Sequence, residues 1–434
     1  MNKGHRLLIL LLLFNLTLLA QKRADIQLVV YGQGDAAFGA AVQSANSGVQ
    51  TLWVNPDQSF ESSLTQGDEI LKVTSYQNLD GGLWGEFLKS TINASRCTDS
   101  VFNRAKRHLN PRVALNSFEK IIDSVSNLTV VYGTTIDEIR RTRKDWRLGL
   151  DNGSDYKVFA VVDATGNGAL LQLVDPEEKI SDSSTMQRIP TKDIYASTAF
   201  KTSLMIEEHQ NVESIVPASV LIRPYAKNLF SAFDPNNVKA LENSSIQDVP
   251  RRILLGQVLG AMAGYCAFFE LDYDKINIRT LQGELLAFKA QLIPFHDIAF
   301  EDVHNTFIQH IGLSGILKGR TGEHGKFIFD PAGAVSTDEI EFVMRNIYTR
   351  SQIWFNQHSI EKLSVGETID LIKFIALKGD EVDRAVQNGW HSRFHFESKF
   401  DANNPITRRQ FAVLVDTYLQ PFSVKVDKKG NFVY

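Results

Sequence analysis

The amino end of the chain alternates short apolar runs with a helix of small residues. An apolar run that ends at Tyr31 predicts a short buried strand, and residues 36–47, rich in alanine, predict a helix that ends at Gly48. A second apolar run at residues 50–54 predicts another strand. Strand, helix and strand in this order predict a βαβ unit.

Farther along, the pattern predicts more elements of the same kind. An apolar run at residues 158–163 predicts one continuous buried strand, which leads into a turn at residues 164–168. The other predicted elements of this part are a helix at 113–125, a strand at 128–132, a hairpin of 136–143 with 146–150, and a helix at 169–174. This order of elements is typical of an α/β fold.

A long apolar helix is predicted at residues 250–269. Pro250 suits its first turn, because a proline has no N–H group to leave unpaired there. Glycines at every fourth position from 256 to 264 make a flat face on which another backbone can press. We interpret the segment as a buried core helix, and the alternative is a membrane helix that dimerises through its glycines.

The first 20 residues differ from the rest of the chain. A basic start is followed by an almost wholly apolar stretch that ends at Ala20. This pattern predicts a secretory signal peptide, cleaved before Gln21, and therefore an exported protein, periplasmic or extracellular, with no transmembrane segment after cleavage. The alternative is an uncleaved anchor at the amino end.

Composition narrows the classes of partner. The chain has 434 residues and a formal net charge of −4, with no basic run that could follow a nucleic-acid groove. We therefore expect a small-molecule substrate and no nucleic acid. The histidines and cysteines show no spacing typical of a metal site, and we expect none.

The glycine turn after the first strand carries the strongest chemical signal. Gly32 permits the turn, Gly34 lets a phosphate approach the backbone, and Ala37 is small enough for the helix to pack closely on the strand. Backbone N–H groups at the start of such a helix face the pyrophosphate of a dinucleotide. The pattern predicts dinucleotide binding, and an ordinary βαβ unit with a glycine turn is the alternative. Asn55, at the end of the second strand, stands where an acidic residue often binds the ribose.

Three separate segments resemble the FAD-dependent oxidoreductases with two dinucleotide-binding folds, and among them the secreted bacterial group. They are the opening βαβ unit, the Ala-Thr-Gly turn at 164–166 and the segment 216–264. The resemblance implies FAD as cofactor and a Rossmann-like α/β domain, with a parallel sheet, helices and a small β insertion. It also implies hydride or electron transfer between the flavin and a small substrate.

The resemblance further implies a set of cofactor-binding residues. The glycine turn and the start of its helix would line the pyrophosphate, the end of the second strand would face the ribose, the later turn would lie beside the phosphates, and the start of the long helix would lie beside the flavin. In that order the residues are Gly32, Gly34, Ala36 and Ala37; Asn55; Thr165 and Gly166; and Pro250 and Arg251. No catalytic acid or base is identified from the sequence.

Four positions depart from the pattern of that family. Asn55 stands in place of an acidic residue, Phe233 and Asp234 in place of a Gly-Arg pair, Gln247 in place of an arginine, and residues 61–65 in place of a Gly-Gly pair. Each lost charge-assisted contact costs about 1–3 kcal/mol, and about 1.4 kcal/mol changes affinity tenfold. The alternative hypothesis is a non-catalytic flavoprotein-fold scaffold with a degraded cofactor site, acting in cell-envelope interactions.

The composition changes near Phe295, and the last part predicts a mostly α-helical domain. Residues 295–336 and 400–414 resemble S-layer homology repeats, in which a helix, a glycine-flanked turn and a Phe-x-Pro-type loop precede a helix capped by Ser or Thr. Thr407 is a suitable N-cap for the last helix. The resemblance implies contact with a cell-envelope polymer, and a purely structural helical domain is the alternative.

These patterns predict three divisions of the chain. They are a signal peptide at residues 1–20, an FAD-dependent oxidoreductase-like domain at 24–292, and a helical S-layer-homology-like domain at 293–434.

Overall fold

The computed structural model describes residues 25–74, 79–92, 98–174, 188–209, 212–222, 227–233 and 245–434. The predicted signal peptide and Asp234 lie outside these described residues. The strands are β1 (Leu28–Tyr31), β2 (Thr51–Asn55), β3 (Leu128–Tyr132), β4 (Ile136–Arg141), β5 (Trp146–Leu150), β6 (Asp155–Val158), β7 (Ala160–Asp163), β8 (Ile189–Pro190), β9 (Ser203–His209), β10 (Val212–Pro217), β11 (Leu229–Ser231), β12 (Arg320–Thr321) and β13 (Phe327–Ile328). The helices are α1 (Gly34–Asn46), α2 (Gly82–Ile92), α3 (Asp99–Arg107), α4 (Pro111–Ser124), α5 (Ala169–Val174), α6 (Ala218–Leu221), α7 (Val249–Phe269), α8 (Ile278–Ala287), α9 (Asn305–Ser314), α10 (Thr337–Ile347), α11 (Ser351–Gln357), α12 (Val365–Ala376), α13 (Glu381–Gly389) and α14 (Arg408–Leu419).

Five strands form one parallel sheet, and helices dominate the chain after β11, so the predicted fold class is confirmed. The strand order is β11-β7-β1-β2-β3, and every neighbouring pair is parallel. Leu28 of β1 lies opposite Thr51 of β2 and Ala160 of β7, so β1 is central. All four residues of β1 are buried, as expected for a strand covered on both faces.

Helices α1 and α7 pack in close contact, and the contact requires glycine on both. A Cβ at Gly256 of α7 would collide with the carbonyl oxygen of Ala36, and a Cβ at Gly39 of α1 would collide with that of Ile253. The predicted flat glycine face is therefore confirmed, and it presses on α1 inside the protein. By length and hydropathy α7 could cross a membrane, but 78% of its most apolar window is buried inside the protein.

The small antiparallel sheet β4-β5-β6 confirms the predicted hairpin and adds a third strand. The prediction of one strand over residues 158–163 is wrong, because β6 ends at Val158 and β7 begins at Ala160. Between them, Phe159 donates its N–H to the carbonyl oxygen of Gln27, at 2.9 Å, directly before the start of β1. The chain changes sheets at Phe159, and an unbroken apolar run gives no sign of such a change.

Three short segments of the C-terminal part pair with one another in a closed ring, which we call the backbone hub. The segments are residues 333–337, 361–365 and 404–408. In the inner ring Val335 N–H donates to Ile406 O at 3.3 Å, Ile406 N–H to Leu363 O at 3.0 Å, and Leu363 N–H to Val335 O at 3.0 Å. The outer bonds run around the ring in the opposite direction: Thr337 N–H donates to Glu361 O at 3.0 Å, Val365 N–H to Asn404 O at 2.9 Å, and Arg408 N–H to Gly333 O at 2.8 Å.

Each segment of the hub leads directly into a helix. The N-cap residues are Ser336 for α10, Ser364 for α12 and Thr407 for α14. The sequence predicted two equivalent units, around Ser336 and Thr407, and the structure adds a third around Ser364. The C-terminal part is therefore built on three related helix starts that share one backbone ring.

Arg279 of α8 joins the α/β part to the helical part. Its guanidinium donates hydrogen bonds to the carbonyl oxygens of Lys201 (3.3 Å), Leu313 (3.2 Å) and Val424 (3.3 Å). The side chain is buried, and three carbonyl acceptors replace the water that it has lost.

Candidate nucleotide-binding cleft

A cleft of about 930 Å³ opens beyond the carboxyl ends of β1 and β7. From β1 the sheet continues through β2 on one side and through β7 on the other, so the strand order reverses between β1 and β7. Open parallel sheets bind ligands in the crevice at such a point. Four of the predicted cofactor-binding residues line this cleft: Gly34, Ala36, Thr165 and Gly166.

The two glycines of the turn have different roles. Gly32 has a φ of +136°, and a Cβ there would lie 2.8 Å from the carbonyl carbon of Ala164, so Gly32 allows β1 and the turn after β7 to lie against each other. Gly34 has a φ of +73°, and the nearest atom to a Cβ there is the carbonyl oxygen of Glu61 at 3.6 Å. A side chain at position 34 would therefore take up space that belongs to the cleft.

Helix α1 begins at the cleft without a side chain to cap its first turn. Its N-cap residue, Gln33, makes no side-chain capping hydrogen bond, and the first N–H groups of an α-helix have no partner within the helix. Residues 34–36 form this turn and line the cleft. The positive end of the helix dipole is therefore available to an anion in the cleft.

The Asp35 carboxylate lies in the same first turn and is almost fully buried. Its Oδ1 accepts a hydrogen bond from Ser62 Oγ at 2.6 Å, and its Oδ2 lies 2.8 Å from Nη2 and 3.0 Å from Nε of Arg252. Burial raises the pKa of Asp35, and Arg252 and Ser62 partly oppose this rise. An acid at a helix start is favourable for the helix, but here it shares the partial positive charge that an anionic ligand would use.

Arg252 comes from α7 and is the one Lys or Arg among the described residues that line the cleft. The acids that line it are Asp35, Asp57 and Glu61. The family resemblance implies Arg251 at the cofactor, but Arg252, the next residue, lines the cleft. Successive residues of an α-helix point about 100° apart, so a shift of one position changes which side chain faces a site.

Arg251 and Pro250 occupy other positions at the start of α7. Arg251 is buried, with its guanidinium 3.7 Å from Asp248 and 4.0 Å from Glu207. Pro250 lies in the first turn of the helix, as predicted. Neither residue belongs to the wall of the cleft.

Ala37 and Asn55 lie behind the cleft wall. Both are fully buried, and Ala37 belongs to the hydrophobic core. The Oδ1 of Asn55 accepts the N–H of Asp57 at 2.9 Å, so its side chain shapes the turn after β2. Asn55 is not among the residues that line the cleft, whereas Asp57, two residues later, is.

The turn after β7 is shaped by Asp163, which the sequence analysis did not single out. Its Oδ1 accepts hydrogen bonds from the N–H (3.1 Å) and the hydroxyl (2.5 Å) of Thr165, and its Oδ2 accepts the N–H groups of Leu170 (2.9 Å) and Leu171 (3.2 Å). Thr165 Oγ1 in turn accepts the N–H of Ala169 at 2.8 Å. Burial raises the pKa of Asp163, and these hydrogen bonds oppose the rise. The Thr165 hydroxyl already makes hydrogen bonds within the turn. A ligand in the cleft would therefore contact the backbone of this turn.

Two of the departures from the family's pattern have visible consequences. Phe233 lines the cleft and lies against Gly168, where a Cβ would be 3.1 Å from the phenylalanine ring. Gln247 holds the loop at residues 72–74, because its Oε1 accepts the N–H of Thr74 at 2.6 Å and its Nε2 donates to Lys72 O at 2.8 Å. Phe233 therefore narrows the cleft, whereas Gln247 serves a structural contact. Among the described residues, no group of three or more His, Cys, Asp and Glu could hold a metal ion.

Residues 27–214 match the model of a family described as FAD dependent oxidoreductase. The matched segment contains the glycine turn, β2 and the turn after β7, and it covers less than half of the 434-residue chain. No curated protein matches the chain.

Several solved structures are similar to part of the chain. The bacillithiol disulfide reductase Bdr from Staphylococcus aureus is 13% identical, with 33% of this chain and 39% of that chain covered and a TM-score of 0.25. A cyclohexanone monooxygenase mutant from Rhodococcus sp. Phi1, bound to NADP+, is 16% identical, with 32% and 26% covered and a TM-score of 0.25. GidA from Aquifex aeolicus is 17% identical, with 33% and 25% covered and a TM-score of 0.24. This chain thus spans well under half the length of these solved chains, and such TM-scores support no inference about its activity.

Proposed function

We propose that the cleft binds FAD and that the chain is a flavin-dependent oxidoreductase acting on a small molecule. The observation that carries the proposal is the uncapped start of α1 at the cleft, with Gly34 in its first turn. The family match over residues 27–214 favours a flavin nucleotide over other dinucleotides. A bound FAD supplies hydride or electron transfer, which side chains alone do not perform.

The residues of the cleft fit the diphosphate and the ribose of such a nucleotide. The N–H groups of residues 34–36 would hold the diphosphate, where a Cβ at Gly34 would fill the space. Asp57 follows the glycine turn by about 20 residues, the spacing at which an acid accepts hydrogen bonds from ribose hydroxyls. Thr165 and Gly166, in the turn after β7, also line the cleft.

Asp35 and Arg252 affect how tightly a diphosphate can bind at the start of α1. A diphosphate at the start of α1 would lie beside the buried carboxylate of Asp35, which repels it. Arg252 already contacts that carboxylate, so it would have to serve two anions. We therefore expect FAD to bind more weakly than at a helix start without an acid in its first turn.

The test is a titration of the chain from Gln21 onward with FAD, followed by absorption and flavin fluorescence. Gly34→Asn places a side chain in the cleft, and asparagine tolerates the left-handed backbone that this position requires. We expect the wild type to bind FAD and Gly34→Asn to lose binding. The matched control is Gly153→Asn, at a φ of +81° in open space, which should bind as the wild type does. If Gly34→Asn binds FAD with wild-type affinity, the diphosphate does not bind at the start of α1.

A non-catalytic scaffold is the second candidate. Phe233, which narrows the cleft, and the Asp35–Arg252 pair favour it. A wild-type chain that binds neither FAD nor ADP at millimolar concentration would support this candidate and contradict the first.

We also propose that the chain is exported and that its C-terminal part contacts a cell-envelope polymer. The apolar amino end supports export, and three related helix starts around the backbone hub are in keeping with a repeat of the S-layer homology type. Mass spectrometry of the amino end after secretion, and sedimentation of the full chain with purified cell walls, test the two parts. An unprocessed amino end in the cytoplasm would contradict export, and a chain that stays in the supernatant would contradict polymer contact.

A further inference from the structure

A second cavity, of about 480 Å³, lies in the C-terminal part between α9, α14 and the loop at residues 393–395. We call it the aromatic pocket, because Phe307, Phe394 and Phe422 form much of its wall. Val303 stands at its edge and is 65% exposed, so the apolar wall continues to the protein surface. Cavities of this size commonly hold small ligands against apolar walls with a few polar groups.

One polar pair is built into this apolar wall. His310 Nδ1 lies 2.8 Å from Asp416 Oδ2, and its ring stacks on Phe422 with centroids 4.0 Å apart and planes 8° apart. Because a carboxylate only accepts hydrogen bonds, Nδ1 of the neutral ring carries the proton and Nε2 is an acceptor. When the ring is protonated, Nε2 becomes a second donor. The orientation of His310 is therefore fixed before any ligand arrives.

Two further basic side chains, Arg393 and His395, line the same pocket. His395 has a left-handed φ of +54°, which favours glycine and is strained for a residue with a Cβ. Hydrogen bonds hold the loop in this shape, because Arg393 N–H and Phe394 N–H both reach Gly389 O at 2.9 Å. Strain of this kind persists where the surrounding structure enforces it, and it is concentrated at ligand sites.

The charges around the pocket favour an anion. Asp416 is the only acid among the described residues that line it, and it is engaged by His310. His304 is buried with its Nε2 2.7 Å from Phe394 O, and burial lowers its pKa, which disfavours the charged form of the ring. Arg393 contributes a full positive charge at any physiological pH.

We propose that the aromatic pocket binds a small amphipathic anion, a carboxylate or sulfonate attached to an aromatic or branched apolar body. The body packs against the three phenylalanines, and the acid group faces Arg393 and His395. Nε2 of His310 donates to the acid group when that ring is protonated. This site shares no residue with the nucleotide cleft and does not depend on a flavin.

The test is a fluorescence titration of the full chain with two probes. Anilinonaphthalene sulfonate is an aromatic anion, and phenylnaphthylamine keeps the aromatic body without the charge. We expect Arg393→Glu to weaken binding of the sulfonate about tenfold and to change binding of the neutral probe less than about twofold. Arg384→Glu on α13 reverses an exposed charge outside the pocket and is the matched control, which should leave both titrations unchanged.

Two more variants test whether the probes bind in the aromatic pocket. Thr417→Phe fills the cavity from α14 and should abolish binding of both probes, with circular dichroism as the check on folding. Gly34→Asn in the nucleotide cleft should leave the sulfonate titration unchanged. Any one of three results would overturn the proposal. The first is equal sulfonate affinities for Arg393→Glu and Arg384→Glu. The others are undisturbed binding in a folded Thr417→Phe and loss of sulfonate binding in Gly34→Asn.

Discussion

Helix α1 of the α/β part begins in the opposite way to helices α12 and α14 of the C-terminal part. In the α/β part, α1 begins at Gln33 without a side-chain cap and opens on the nucleotide cleft. In the C-terminal part, α12 and α14 begin with capping boxes, in which Ser364 pairs with Glu367 and Thr407 with Gln410. A helix start that satisfies its own N–H groups stabilises the fold, whereas one that leaves them open in a cleft is available to a ligand.

The backbone between the helices shows the same contrast. At the backbone hub, carbonyl and N–H groups of three segments satisfy one another, and the inner residues Val335, Leu363 and Ile406 are fully buried. At the cleft, the turns around Gly34 and Gly166 face open space. Substitutions at the hub should therefore act on stability, and substitutions at the cleft should act on ligand binding.

Ile406→Ala should have the largest effect of the changes that separate the two regions. Truncating a fully buried isoleucine costs about 2–5 kcal/mol of unfolding free energy, because it removes apolar contacts and leaves a cavity. Urea unfolding followed by circular dichroism measures the loss, and FAD titration in native buffer should be unchanged. The control is Ile353→Ala, where the side chain is 49% exposed and the expected change is below about 1 kcal/mol. Equal losses in the two variants would contradict a central role for the hub.

The features that the sequence predicted well are those whose cause is local. The turn at Gly32 and Gly34 needs residues that adopt positive φ, and Pro250 suits the first turn of α7 because it has no N–H group to leave unpaired. Both causes lie within a few residues of their effect. The βαβ unit and the long core helix could therefore be predicted without knowledge of the rest of the chain.

The third hub segment carries a local signal in its sequence. Ser364, followed by Glu367 and preceded by the apolar Leu363, is a capping-box pattern. Its distance along the chain from Ser336 is much shorter than its distance to Thr407, so the three units are unequally spaced in the sequence. A search for capping boxes, rather than for a fixed period, would have found it.

The electrostatics of the cleft could not be predicted from local sequence. Asp35 and Arg252 are 217 residues apart in the chain, and their contact depends on how α1 and α7 cross. Asp57 lines the cleft and Asn55 does not, because of where β2 ends. An apolar pattern predicts the end of a strand only to within a few residues. Long-range packing and strand ends therefore decide which polar side chains reach the ligand.

Asp35→Asn tests whether the open start of α1 is blocked by its own carboxylate. The variant removes a negative charge from the first turn, and the amide oxygen can still accept a hydrogen bond from Arg252. We expect the affinity for ADP at about pH 8 to rise on the order of tenfold, measured by titration calorimetry. Asp57→Asn, which removes an acid assigned to the ribose, should instead lower the affinity.

The pH dependence of the same variant gives an independent measure. Burial raises the pKa of Asp35 above its usual 3.8, so the carboxyl group is neutral below the raised pKa and ionised above it. The wild-type affinity for ADP should therefore fall as the pH rises through that value, relative to Asp35→Asn, in which this titration is absent. The titration of ADP itself affects both proteins equally, so it cancels in the ratio of the two affinities. A ratio that stays constant with pH would show that Asp35 does not compete with the ligand.

Gln33→Ser should have the smallest effect, and it converts the start of α1 into one like that of α14. A serine at the N-cap accepts a hydrogen bond from an N–H group two or three residues on, which adds about 0.5–1 kcal/mol of stability. The same bond withdraws a donor from the diphosphate, so the affinity for ADP should fall by up to roughly fivefold. Thr407→Ala is the reciprocal control, because it removes about 1 kcal/mol from α14 without touching the cleft. If Gln33→Ser is more stable and still binds ADP as the wild type does, the ligand does not use these N–H groups. The two kinds of helix start would then differ in capping alone.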